Sequence, residues 1–257
     1  MADRGEVGES YLSHFCFDDA MARHYQANGR SVAGFAGPCW ARWLVFDIDA
    51  VDLSDALAGA RKLFSFLAER YDVQPITYFS GSKGFHVVID LGGGIAPADG
   101  FHRIAGTLAL GVAAAAGVKI DGAVYDLARI LRLPNTRHPK TGLFKRVLDA
   151  EELFSLTVDG IRKLAENPRG EPLPPIGPTP SQLLTDWKAA ELRAGETATS
   201  RAVARVERSG EPDGRAPKFL VDFLRFGVDQ GERHQVLFRC AAWLVEQGAP
   251  LRSHMPF

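Results

Sequence analysis

The sequence predicts an α+β fold, on three observations. Short apolar runs rich in β-branched and aromatic residues occur at 43–49 and within "QPITYFSGSKGFHVVIDL", as buried strands require. Apolar residues at helical spacing mark 53–70 and 97–116. The resulting order, β-α-β-β-α-β, is that of a ferredoxin-like split unit.

Residues 1 to about 40 read as mixed helix and loop. In "WLVFDIDAVD", Trp43 to Phe46 form the buried body of a strand that delivers Asp47 and Asp49. Leu53, Ala56, Leu57, Ala60, Leu63, Phe64 and Leu67 then share one helical face. Two strands joined by a Gly-rich turn follow. Residues 97–116 make an Ala-rich helix. "GVKIDGAVYD" reads as a short strand and turn, and "RILRLPNTRHPKTGLFKRVL" as a basic loop with short strands. A helix around 158–166 closes this first domain, 1–166. Residues 167–180 hold six prolines, the composition of a stiff, extended linker. The remainder, 181–257, reads as helical: a charged helix, a loop at "RSGEPDGRAPK" and two short helices.

Bulk properties narrow the function classes. Of 257 residues, 46% are hydrophobic and 24% charged, as in ordinary soluble proteins. The net charge of −1 gives no global field for nucleic acid, so any such binding needs a local basic patch. The longest apolar run, Ile104 to Val118, is too short to span a bilayer, and the polar start "MADRGEVGES" has no apolar signal segment. The three cysteines, Cys16, Cys39 and Cys240, lie far apart, which fits reduced thiols in a cytoplasmic protein and argues against structural zinc.

Three motifs carry chemistry. Asp47 and Asp49 project to the same side of their strand, and two crowded carboxylates call for a cation or a shared proton. The plainer account is a strand end entering a polar turn. In "SGSKGFHVVID", Gly81 and Gly84 allow tight backbone geometry, Ser80, Ser82 and Lys83 supply donors, and His86 projects opposite Phe85, Val87 and Ile89. Such a turn suits a triphosphate, although it lacks the Walker A spacing. A hairpin with a solvated lysine and a buried histidine is the simpler alternative. From Arg129 to Arg146 there are six Arg or Lys and no acid, preceded by Asp121 and Asp126. A charge run is usually a solvated face. Here Pro134, Asn135, Pro139 and Gly142 break it into loops, which suits phosphate groups.

Together, "FDID", "SGSKGFH" and "KIDGAV" followed by "ILRLPNTRHPKTG" resemble the three signatures of the archaeo-eukaryotic primase superfamily, over roughly residues 30 to 150. The primase-polymerases of phages, plasmids and mobile elements share this order. The resemblance implies an RRM-like (split β-α-β) catalytic core with an N-terminal α/β portion and a small helical C-terminal module. It implies template-directed joining of NTPs or dNTPs on single-stranded DNA, with two Mg²⁺ or Mn²⁺ ions held by Asp47, Asp49 and Asp121. Ser80, Ser82, Lys83, His86, Arg132, His138 and Lys140 would contact the incoming nucleotide. Asp126 is the ambiguous carboxylate, with Arg129 as an alternative partner. "GVDQGERHQVLFRCAAWLVEQGAP" resembles the helical module that follows such primases, with His234 where the pattern has Asn. That module would be partial here, and a replicative helicase in the same or a neighbouring protein would be a partner.

Two rival readings stand beside this one. "VFDIDAV" also fits the DxDx[TV] motif of haloacid-dehalogenase phosphatases, but it lies over forty residues into the chain, and that reading leaves His86 and the basic loop unexplained. A non-catalytic replication-initiation module binding single strands would leave three clustered carboxylates without a cation, which is costly.

Overall fold

The structure, a computed structural model, describes residues 9–170 and 174–208, with side chains as far as 197. The chain divides into two units, Met1–Thr199 and Ser200–Phe257. The "GVDQGERHQ" stretch, His234 and the two short helices expected near the C-terminus lie outside the described residues.

The first unit is mixed α+β, and its sheets are antiparallel throughout the described residues. Its central sheet contains β4 (Trp43–Asp49), β5 (Ile76–Phe79), β6 (Gly84–Asp90) and β9 (Arg146–Leu148), in the order β4-β6-β5-β9. β6 therefore lies between β4 and β5, which are joined by α2 (Leu53–Tyr71). Side-chain alternation divides this sheet into two faces. Leu44, Phe46 and Ile48 of β4 and Phe85, Val87 and Ile89 of β6 share the face that forms the main core with Leu57, Leu63 and Leu67 of α2 and Leu108 and Val112 of α3 (Phe101–Ala115). The other face carries Val45, Asp47 and Asp49 beside Val88, His86 and Gly84, and then Tyr78.

The helices end where the sequence supplies caps. Asp52 accepts from Ser54 N–H at 2.8 Å to start α2, and Gly100 starts α3 in the left-handed region at φ 72°. Two expectations need correction. Residues 1–40 are not only helix and loop: β1 (Tyr11–Ser13), β2 (Cys16–Phe17) and β3 (Pro38–Trp40) flank α1 (Asp19–Ala27). β1 pairs with β8 (Ile130–Arg132) of the basic segment, and β3 pairs with β2 and with β7 (Ala98–Asp99). No strand forms at 118–121. Asp121 instead caps a 3-10 helix, Gly122–Tyr125, by accepting from Ala123 N–H at 2.9 Å. The helix expected around 158–166 is present as α5 (Val158–Leu164), preceded by a further short helix, α4 (Ala150–Ser155), with its own Asp149–Glu152 capping box.

The proline-rich segment is stitched to the first unit over 174–180. Thr179 Oγ1 donates to Leu91 O at 2.6 Å and accepts from Gly94 N–H at 2.9 Å, Gly93 N–H donates to Gly177 O at 3.0 Å, and Arg42 reaches Pro174 O. α6 (Ser181–Arg208) then places Leu183, Trp187 and Ala190 in the main core.

Candidate active site

The open face of the central sheet brings the motifs together by register. Asp47 pairs with His86, which pairs with Tyr78, and Asp49 pairs with Gly84. Gly84 is required at that point: a Cβ there would collide with the Asp49 carboxylate and the Ile48 carbonyl. Gly81, at φ 84°, lets the turn approach the basic segment, where Thr141 Oγ1 donates to Gly81 O at 2.5 Å. The Ser80 hydroxyl oxygen accepts from Gly84 N–H at 3.2 Å and holds the turn closed. Asp121 is drawn in by its backbone, whose N–H donates to Asp47 O at 2.9 Å.

Asp47 is buried at 7% exposure, whereas Asp49 and Asp121 are exposed. Burial first, and then the neighbouring charges of Asp49 and Asp121, push the Asp47 carboxyl up to about 6. Each acid has a partner. Lys83 Nζ lies 2.8 Å from Asp49, His86 Nε2 3.4 Å from Asp47, and the Arg129 guanidinium 3.8 Å from Asp121. Burial, reinforced by Lys145, Arg132 and Arg129, holds His86 well below the usual imidazole range. It is therefore neutral, and its contact with Asp47 is a polar contact and not an ion pair. Arg129 pairs with Asp121, which settles its partner against the alternative, Asp126; Asp126 acts electrostatically on His102 instead.

An all-carboxylate oxygen set with mutual repulsion suits a hard divalent cation in kind. Among the described residues, however, no three His, Cys, Asp or Glu side chains are gathered as a ready cage. Asp49 and Asp121 are turned to Lys83, Arg129 and the 3-10 cap.

The basic run separates into different roles. Arg132 donates to Ser80 O, and its Nη1 is buried without a hydrogen-bond partner. His138 Nδ1 accepts from Lys140 N–H at 3.2 Å, beside Arg132, while Lys140 itself is exposed. Arg137 stacks on Phe144, and Arg146 is buried against Glu152 and Asn167 O, so both are structural. Sequence reading counted Lys145 in the run but gave it no role. It is 5% exposed, donates from Nζ to Arg132 O at 2.8 Å and lies 5.4 Å from the centre of the Tyr78 ring. Burial and Arg132 push its amine down to about 7. Its signal was a lysine just ahead of the "RVL" strand and next to Arg146, too weak to separate from its basic neighbours.

Over part of its length the chain is similar to archaeal DNA primase small subunits. It is 34% identical over 110 residues to the DNA primase small subunit PriS of Saccharolobus islandicus (strain L.S.2.15 / Lassen #1), covering 34% of this chain and 33% of that protein. It is 33% identical over 119 residues to the same subunit of Saccharolobus solfataricus, covering 37% and 36%. The chain thus spans about a third of the length of the curated relatives it matches. No protein-family model matches it, and no solved structure does. No described helix is long and apolar enough to cross a membrane. The similarity supports a relationship to the archaeo-eukaryotic primases.

Proposed function

We propose that the chain is a template-directed nucleotidyltransferase of the primase-polymerase type, built on an RRM-like core and joining NTPs or dNTPs on single-stranded DNA. The observation that carries this reading is the convergence of Asp47, Asp49 and the Ser80–His86 turn on one open sheet face, with Asp121 and Arg132 brought to its edge by contacts to Asp47 and Ser80. The similarity to subunits named as DNA primases supports it.

In this reading Asp47, Asp49 and Asp121 hold two Mg²⁺ or Mn²⁺ ions, which would activate the 3′-hydroxyl and offset the charge developing on the α-phosphate. Asp49 exchanges Lys83 for this role, freeing Lys83 as a point charge for the triphosphate. Ser80 and Ser82 shape the turn. His86 stays neutral and donates from its ring. Arg132 offers its unpartnered Nη1 to phosphate oxygen, with His138 and Lys140 at the outer edge. The order of motifs also fits the phage, plasmid and mobile-element type, with a replicative helicase as partner.

Extension of a labelled primer on single-stranded DNA with NTP or dNTP and Mn²⁺ tests the proposal. Wild-type protein should add nucleotides, whereas folded Asp47→Ala and Asp49→Ala should not. Retained synthesis in either variant at saturating metal would remove the assignment.

A further inference from the structure

β4 ends the sheet order β4-β6-β5-β9, so its carbonyls on the side away from β6 need donors from outside the sheet. Three of them, each two residues from the next, are met in turn. Asp47 O accepts from Asp121 N–H at 2.9 Å, Val45 O accepts from the Tyr125 hydroxyl at 2.5 Å, and Trp43 O lies 3.4 Å from His14 Nε2. The 3-10 helix Gly122–Tyr125, with Asp121 as its cap, is thus fastened to β4 at both ends.

His14 holds the same helix from the side of β1. Its Nδ1 lies 2.8 Å from Val124 O, and its backbone N–H donates to Arg129 O at 2.9 Å. Burial holds the imidazole below its ordinary range, so the neutral ring carries one N–H, which the shorter contact assigns to Nδ1. One residue therefore grips both the helix behind Asp121 and Arg129, whose guanidinium lies 3.8 Å from Asp121. The Tyr125 ring has little room to shift. It is buried and tilted against the His14 ring, with centres 5.7 Å apart, and a Cβ on Gly106 of α3 would come within 3.1 Å of Tyr125 Cβ. We propose that Tyr125 and His14 are positioning residues for the third acid. By fastening the 3-10 helix to alternate carbonyls of β4, they set where Asp121 stands beside Asp47, and through that the affinity of the acids for a divalent cation. The inference rests on reading Asp47, Asp49 and Asp121 as metal-binding acids, and it adds what keeps the one acid from outside the sheet in place.

Titration of the full chain with Mn²⁺, followed by the electron paramagnetic resonance of the free ion, tests this without turnover. Tyr125→Phe removes one oxygen and keeps the ring, and it should weaken Mn²⁺ binding about fivefold, the equivalent of one hydrogen bond. His14→Phe should do the same, and His14→Asn, whose amide N–H replaces the Nδ1 donor, should restore the affinity. Asp121→Asn keeps the cap but gives up the charge. Added to that variant, Tyr125→Phe should change Mn²⁺ affinity by less than about twofold, because the acid it positions is already gone. Tyr125→Phe decides the matter alone should His14→Phe fail to fold. Wild-type affinity in Tyr125→Phe overturns the proposal and leaves the metal site standing. An equal loss with and without the Asp121 charge also overturns it, because Tyr125 would then act on the fold at large. If wild type binds no Mn²⁺, the metal reading of the acids fails and this inference with it.

Discussion

Asp47 is the residue whose environment is most at odds with its charge. Its carboxyl rises from 3.8 to about 6 in the folded chain, so folding favours the protonated form. The ionised form at pH 7 costs about 3 kcal/mol, by the usual conversion of a pKa difference. Asp47→Asn should therefore abolish synthesis yet raise the melting temperature in chelator at pH 7.5. Because the cost develops between pH 3.8 and 6, the gain should vanish by about pH 4, and melting curves of both proteins at the two pH values check this. Lys145 works in the opposite sense. With its amine near 7 in the fold and 10.5 unfolded, the native state binds fewer protons between those values, so stability should rise with pH there, by at most about 1.4 kcal/mol per pH unit. Lys145→Met should flatten that slope, and an unchanged slope in melts from pH 7 to 9.5 would refute the assignment. The two residues also differ in legibility. Asp47 could be read because strand alternation pairs it with Asp49. Lys145 could not, because its burial depends on Arg132 and Tyr78, distant in sequence or brought near only by the fold.

Elements with many residues per period were legible. α2 and α3 each expose a repeating apolar stripe, so both were placed to within a few residues. Strands of two or three residues cannot show alternation, and their partners are remote: Tyr11 pairs with Arg132 and Cys39 with Ala98. The Asp121 segment looked like a strand because of its apolar lead-in, but an aspartate ahead of small residues is also a cap, and the cap prevails. The β4–β6 register makes its own prediction. A methyl at Gly84 would strike the Asp49 carboxylate and the Ile48 carbonyl, and neither backbone can yield without breaking the pairing. Gly84→Ala should cost about 1–3 kcal/mol, as overpacking does. It should also depress synthesis more than the stability loss explains, because Asp49 is displaced. Urea midpoints beside primer-extension rates separate the two effects. A variant with wild-type rate would show that Asp49 does not need its place over β6.

For the whole molecule, composition pointed to a division at 167–180, whereas packing carries the first unit to Thr199. Proline content reports stiffness, and a stiff segment can be a strap as readily as a spacer. What distinguishes them is the face behind it, here Leu91, Gly93 and Gly94, which no local pattern reveals. Beyond the strap, Leu183 and Ala190 are fully buried, the Trp187 ring packs at a tilt with its centre 4.7 Å from that of Phe101, and Asp186 takes Arg70 and the Tyr71 hydroxyl. Burying a large apolar side chain contributes about 1.5–3 kcal/mol, so removing Leu183 and Trp187 together forfeits roughly 3–6 kcal/mol. A domain of ordinary stability holds only about 5–15 kcal/mol in total. A chain of residues 1–199 should therefore unfold cooperatively and keep nucleotide binding, whereas 1–166 should lose a substantial part of its stability and expose Phe101. Urea titration of both truncations measures this directly. If 1–166 unfolds at the same midpoint as 1–199, the strap and the start of α6 lie on a core that is complete without them.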